Sequence, residues 1–137
     1  MVNLSVNINK VALIRNARGG DRPNVLHFAQ LALQAGAAGI TVHPRPDQRH
    51  ITAADAMALG AFLNDQSQEF NIEGNPFEGE MGDFPGFMTL VKKIQPDQCT
   101  LVPDSPHQKT SDHGWDFKKD GDRLTPIIQE LQALSIR

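Results

Sequence analysis

The sequence predicts an α/β protein built on a parallel sheet, and three observations carry that expectation. Four short runs rich in β-branched and apolar residues recur along the chain. Each is followed by a polar stretch and then by a segment of helical periodicity. The stretches after the strands are long and crowded with functional residue types, whereas those after the helices are short (AGAAG, QPDQ). Parallel strands joined by crossovers give this asymmetry, because one end of the sheet carries function and the other only turns the chain.

The first run is LSVNI, Leu4 to Ile8. Polar residues follow it, with Lys10, Arg15 and Arg18, and then ARGG, Ala17 to Gly20. Backbone N–H groups of ARGG could wrap an anion, but the Gly-Lys-Ser/Thr of a P-loop is absent. Pro23 suits a helix start, and Val25, Phe28, Ala29, Ala32 and Ala35 then keep one face. Gly36 and Gly39 punctuate the return to the second run, ITVH, Ile40 to His43. Thr52 and Asp55 have the spacing of a capping box, which opens a helix whose face is Ala54, Met57, Ala58, Ala61 and Phe62. The third run is FNIE, Phe70 to Glu73; Pro85 then suits the start of a helix with Phe87, Leu90, Val91 and Ile94 on one side. The fourth is CTLVP, Cys99 to Pro103, and the last helical pattern holds Leu124, Ile127, Ile128, Leu131 and Leu134.

Two architectures fit four such units: a flavodoxin-like open sheet, or part of a (β/α)8 barrel. The chain stops at SIR, where a fifth strand would begin. A barrel of this class takes roughly 250 residues, so four units make about half of one. An open half would expose sheet edges and an apolar inner surface, leaving a truncated chain, an association of two copies, or a small open-sheet domain as the possibilities.

Composition narrows the function. The 137 residues are 39% hydrophobic and 21% charged, which suits one globular domain with a real core. A net charge of −3 gives no basic surplus for gripping a nucleic-acid backbone or an anionic membrane, so any anion is held by local groups. The single cysteine, Cys99, cannot form an internal disulfide. With no signal-peptide pattern and no apolar run long enough to span a bilayer, a cytoplasmic setting is expected.

At the carboxyl ends of the four strands stand four polar sets: Asn7, Asn9 and Lys10 with Arg15 and Arg18; His43, Arg45 and His50; Glu73 and Asn75; and Asp104 with the loop to Thr110. Convergence of such sets is the mark of a site. His43 follows Ile-Thr-Val directly, so its ring sits at the lip of the sheet, where neighbours can tune it as a general base or acid. Arg45 and Arg18 have the fork geometry that binds phosphate or carboxylate. Glu73 ends an apolar run, and the desolvation that makes a carboxylate costly there also raises its pKa toward proton-transfer range; a buried ion pair is the competing reading. Asp104 reads as a turn residue before Ser105-Pro106, Arg49 as surface and Trp115 as a loop anchor. His107, Asp112 and His113 lack a metal-ligand spacing, so no metal is expected.

The segments VNINKVALIRNARGG, AGAAGITVHPRPDQRHI, FNIEGNP and TLVPDSPHQKTSDHGWD resemble, in order and at matching separations, the N-terminal half of the pyridoxine 5'-phosphate synthase family. The match runs from about Asn3 to Phe117. The resemblance implies a (β/α)8 barrel of TIM type, of which residues 1–137 supply the first four βα units as the N-terminal half of a single domain. It implies a homo-oligomeric, cytoplasmic enzyme of vitamin B6 biosynthesis that condenses 1-deoxy-D-xylulose 5-phosphate with 3-amino-2-oxopropyl phosphate, without a cofactor. His43 matches the proton-accepting histidine and Glu73 the second acid/base group. Asn7 and Arg18 match positions holding the aminoketone phosphate, and Arg45, His50 and Thr110 match those holding the deoxyxylulose phosphate. This chain carries Asn9-Lys10 where the family usually has Asp-His, so Asn9 and Lys10 are expected at the substrate, the lysine keeping a cation there. The family's C-terminal half, with its remaining catalytic histidine and glycine-rich phosphate cradle, has no counterpart in these residues, so the chain alone is expected not to complete the reaction. The alternative is a non-catalytic half-barrel or open-sheet module that binds a phosphorylated ligand.

Overall fold

Four parallel strands form the centre of the fold: β1 (Ser5–Asn7), β2 (Gly39–Val42), β3 (Glu69–Gly74) and β6 (Gln98–Leu101). The computed structural model of the protein describes residues 2–137. Five helices accompany the sheet: α1 (Asn9–Arg18), α2 (Val25–Gln34), α3 (Ala53–Leu63), α4 (Phe87–Ile94) and α5 (Phe117–Ala133). A small antiparallel pair, β4 (Glu80–Met81) with β5 (Phe84–Pro85), lies between β3 and α4.

The sheet order is β1-β2-β3-β6, all parallel, so every strand lies beside its predecessor in the chain. A flavodoxin-like sheet reverses direction after its first two strands and would place β1 inside the order. That architecture is therefore excluded.

Strand alternation sorts the side chains onto two faces. Ile40, Val42, Phe70, Ile72 and Cys99 point to one face and join a buried cluster with Ala29, Ala56, Leu59, Phe87, Leu90 and Leu131 of the helices. The other face departs from the expected apolar inner surface. It carries Ser5, Thr41, Asn71 and Thr100, which bond sideways across the sheet: Ser5 Oγ to Thr41 Oγ1 at 2.7 Å, Asn71 Nδ2 to Thr41 Oγ1 at 3.4 Å, and Thr100 Oγ1 to Asn71 Oδ1 at 3.0 Å. Hydroxyls and amides satisfied in this way can sit at the middle of a sheet without the cost of orphaned polar groups.

Helix α1 was not predicted. Ala12 is its one fully covered residue, and Ile14 is 55% exposed, so no apolar period marks it in the sequence. Its start also lacks a capping side chain; Asn7 Oδ1 accepts from Asn9 N–H at 3.0 Å instead. The capping box at Thr52 is formed, with Asp55 N–H donating to Thr52 Oγ1 at 3.1 Å and Thr52 N–H to Asp55 Oδ2 at 2.9 Å. Asp55 has a second partner: Arg15 donates to both of its oxygens, at 2.5 and 2.7 Å, and clasps α1 to α3. At the far edge of the sheet, Arg137 bonds along β6, its N–H to Asp97 O at 3.1 Å and its carbonyl to Cys99 N–H at 2.8 Å.

Gly74 closes β3 against Phe87, whose ring is fully buried and would overlap any Cβ added there. Gly74→Ala is expected to lower stability by about 1–3 kcal/mol through overpacking. The check is the urea midpoint, with Gly79→Ala, which meets nothing, as the neutral comparison.

Candidate active site

The carboxyl ends of the strands surround a cleft of about 260 Å³ lined by Asn7, Asn9, Lys10, His43, Arg45, His50, Glu73, Lys109, Thr110 and Ser111. Eight of the nine residues expected at a site are in that lining. The exception is Arg18. Helix α1 starts at the cleft and carries Arg18 to its last turn, about 13 Å further along the axis at 1.5 Å per residue. A longer loop would have let it return; a helix does not.

Strand register places the two proton-transfer candidates together. Val42 pairs with Ile72, so His43 and Glu73, the next residues, emerge side by side from β2 and β3. His43 is 5% exposed, and its N–H donates to Asn9 Oδ1 at 2.8 Å. Asn9 thus spends its carbonyl oxygen on holding the histidine backbone. Asn7 Nδ2 donates to Glu73 Oε2 at 3.4 Å, fixing one carboxylate oxygen at the rim.

Charge and burial shape the protonation states. Burial first, and then the Arg45 guanidinium, pushes the His43 pKa down to about 4. His50 is likewise lowered to about 4, by burial and then by Arg45 and Arg49. Both rings are therefore neutral near neutral pH. His50 Nδ1 accepts from Ile51 N–H at 2.9 Å, which puts its proton on Nε2 and makes that nitrogen a donor. Glu73 is raised by burial and then by the negative charge of Asp104. A neutral imidazole beside a carboxylate of raised pKa is a pair suited to taking and returning protons.

Arg45 and Asp104 differ most from expectation. Arg45 is 4% exposed and ion-pairs with Asp104, while its Nη1 donates to Gln108 O at 3.1 Å. Asp104 is a buried carboxylate, 2% exposed, and not simply a turn residue. Ser111 Oγ donates to its Oδ2 at 2.6 Å, and Asn75 Nδ2 to its main-chain carbonyl at 2.8 Å. Arg49, expected at the surface, clasps the loop after β6: it donates to Gln108 O at 2.7 Å and Pro106 O at 2.9 Å, and pairs with Asp47. Lys109 and Ser111 of that loop reach the cleft beside Thr110 and were not singled out from the sequence. Trp115 anchors the same loop's exit, donating from Nε1 to Leu101 O at 3.0 Å. A larger hollow of about 420 Å³ between α1, α2 and α3 has Arg15 and Asp55 tied to each other, with Asp21 as the further charged residue of its lining.

Among the described residues no cluster of three His, Cys, Asp or Glu is arranged to hold a metal ion. No described helix is long and apolar enough to cross a membrane.

The pKa shifts also fix how stability follows pH. His43 and His50 are depressed below 6.5, so the unfolded chain binds more protons and their contribution is lost as pH falls from about 6.5 to 4. Glu78 is raised by burial to about 7, so its contribution has the opposite sign: it is present at low pH and lost as pH rises through 7. Glu73, also raised by burial, acts in the same sense as Glu78 but with a smaller shift, so the two histidines leave the protein less stable at pH 4.5 than at pH 6.5. Glu78→Gln removes the larger opposing contribution, so the acid loss of melting temperature is expected to steepen in that variant.

Residues 4–137 match the family described as "Pyridoxal phosphate biosynthesis protein PdxJ". The chain is 51% identical over 136 residues to the pyridoxine 5'-phosphate synthase of Xanthomonas oryzae pv. oryzae (strain MAFF 311018), covering 99% of the chain and 53% of that protein. It is 52% identical over 134 residues to the pyridoxine 5'-phosphate synthase of Xanthomonas axonopodis pv. citri (strain 306), with 98% and 52% covered. The corresponding protein of Xylella fastidiosa (strain 9a5c) is 48% identical over 134 residues, again with 98% and 52% covered. The chain spans about half the length of the curated relatives it matches.

Proposed function

Because the chain belongs to the PdxJ family of pyridoxal phosphate biosynthesis proteins, we propose that its cleft is the proton-transfer part of a pyridoxine 5'-phosphate synthase site. The reaction is the condensation of 1-deoxy-D-xylulose 5-phosphate with 3-amino-2-oxopropyl phosphate. The observation that carries this reading is that His43 and Glu73, which follow the paired residues Val42 and Ile72, line one cleft together with Lys10, Arg45, His50 and Lys109. Ring closure needs imine formation, enolisation and loss of water, each of which moves protons at carbon, nitrogen or oxygen. His43, neutral near pH 7, is the acceptor, and Glu73 is the group that exchanges protons on the adjacent side. Both substrates are phosphorylated, which matches a cleft with cations on several of its walls.

Holding roles follow from the lining. His50 Nε2–H, Thr110 and the free donors of Arg45 take the deoxyxylulose phosphate, and Asn7, Asn9 Nδ2 and Lys10 take the aminoketone phosphate. Arg18 receives no role at this cleft. The singly wound strand order supports a (β/α)8 barrel in which residues 1–137 are the N-terminal half of one domain, and the polar sheet face is then the barrel interior. The same reading makes the working enzyme a homo-oligomer of the cytoplasm. Binding tests it directly. Addition of 1-deoxy-D-xylulose 5-phosphate is expected to shift the NMR signals of His50 and Thr110, with inorganic phosphate competing. Unchanged signals at saturating sugar phosphate would count against the assignment.

A further inference from the structure

We propose that Asp104 is a positioning residue for His43, the two forming a carboxylate–imidazole dyad that Arg45 and Ser111 hold in place. The proposal rests on the reading of His43 as the proton acceptor and adds a partner on the side of the ring away from substrate. Three observations carry it. His43 Nε2 is sealed from solvent and has no hydrogen-bond partner, and Asp104 Oδ1 is sealed and unpartnered as well. The two side chains face each other, with His43 Nε2 3.9 Å from Asp104 Oδ2. The carboxylate is also built into its place, since Arg45 Nη2 and Ser111 Oγ both donate to Oδ2.

A buried donor without a partner is costly, and the Asp104 carboxylate, reached through Oδ2, is the acceptor that lies nearest to His43 Nε2. The distance of 3.9 Å is ion-pair reach, and catalytic hydrogen bonds of this kind commonly tighten only when the site is occupied. With the proton on Nε2, directed at Asp104, the Nδ1 lone pair is left for the cleft. That is the tautomer a base needs, held by a carboxylate that also stabilises the imidazolium formed on accepting a proton.

The charged and titratable neighbours of His43 make the role specific. Arg45, Arg49 and His50 of its own loop oppose a positive ring, as does burial; Glu73 stands beside it on β3; and Asp104, from the loop after β6, favours the positive ring. Asp104 therefore offsets the neighbours that hold His43 basicity down.

The test reads His43 by NMR in the intact chain without substrate, so it stands apart from whether the enzyme turns over. In Asp104→Asn the His43 titration midpoint is expected to fall below its wild-type value and the low-field Nε2 proton signal to disappear, while Asp104→Glu restores the charge and brings both back in part. Ser111→Ala frees Oδ2 of its hydroxyl donor and is expected to raise the midpoint. A folded Asp104→Asn variant whose midpoint and Nε2 proton are unchanged overturns the dyad. Should that variant fail to fold, an unchanged midpoint in Ser111→Ala overturns it equally. In the enzyme assay, Asp104→Asn is expected to lower kcat by about 100-fold, within the range of a general base's contribution, and to leave KM for the sugar phosphate within a few-fold.

Discussion

His43→Asn is expected to lower kcat of the enzyme that carries this chain by about 100-fold or more and to leave the fold intact. General-base catalysis is worth roughly 10²–10⁴ in rate, and asparagine removes the proton-accepting nitrogen while keeping a polar group of similar reach. Stability should change little, because the ring makes no side-chain hydrogen bond that the fold depends on: Nε2 is unpartnered, and the tie to Asn9 runs through the main-chain N–H. KM should hold, since the cations that ring the cleft are untouched. Steady-state kinetics beside urea unfolding separates the outcomes. Loss of soluble, folded protein would assign His43 to the scaffold.

Arg45→Met is expected to have the largest effect on stability, about 3–5 kcal/mol. The guanidinium is the charged partner of a carboxylate that is 2% exposed, so removing it strands a negative charge in the interior. The double variant Arg45→Met/Asp104→Leu is expected to recover most of that loss, because replacing both members of a buried pair with apolar side chains is often neutral or better. Activity should fall in both variants, which lose the donor fork at the cleft. Chemical denaturation of the two single variants and the double variant measures the coupling; additive losses would show that Arg45 and Asp104 act independently.

Much of this architecture was legible in the residues. Four strands, helices α2, α4 and α5, and the Thr52–Asp55 box announce themselves through apolar periodicity and capping chemistry; in α3 the expected face of Ala54, Met57, Ala58 and Ala61 is the exposed one, and Ala53, Ala56, Leu59 and Leu63 are buried instead. Helix α1 does not announce itself, because a helix covered along one narrow line, at Ala12, has no repeating apolar face to display. Missing it also put Arg18 within reach of the cleft. The polar inner face was misjudged for a related reason: Thr41, Asn71 and Thr100 look like ordinary strand polarity until the register shows them bonding to one another.

The candidate site was legible where a residue directly ends a strand, as at His43 and Glu73. It was obscured where the loop after β6 folds back. Nothing local in PDSPHQKTS tells that Asp104 turns inward to meet Arg45, fifty-nine residues earlier, or that Arg49 ties down the same loop. Long-range ion pairs of this kind depend on three-dimensional closure of two loops. A sequence offers only the charges: Arg45 alone reads as an anion-binding fork, Asp104 as a turn residue and Arg49 as surface.

The measurement that bears most directly on the account is turnover by the native polypeptide carrying this sequence, supplied with 1-deoxy-D-xylulose 5-phosphate and 3-amino-2-oxopropyl phosphate. The account predicts pyridoxine 5'-phosphate with release of inorganic phosphate, lost in His43→Asn. A folded protein that forms no product and binds neither substrate would contradict it.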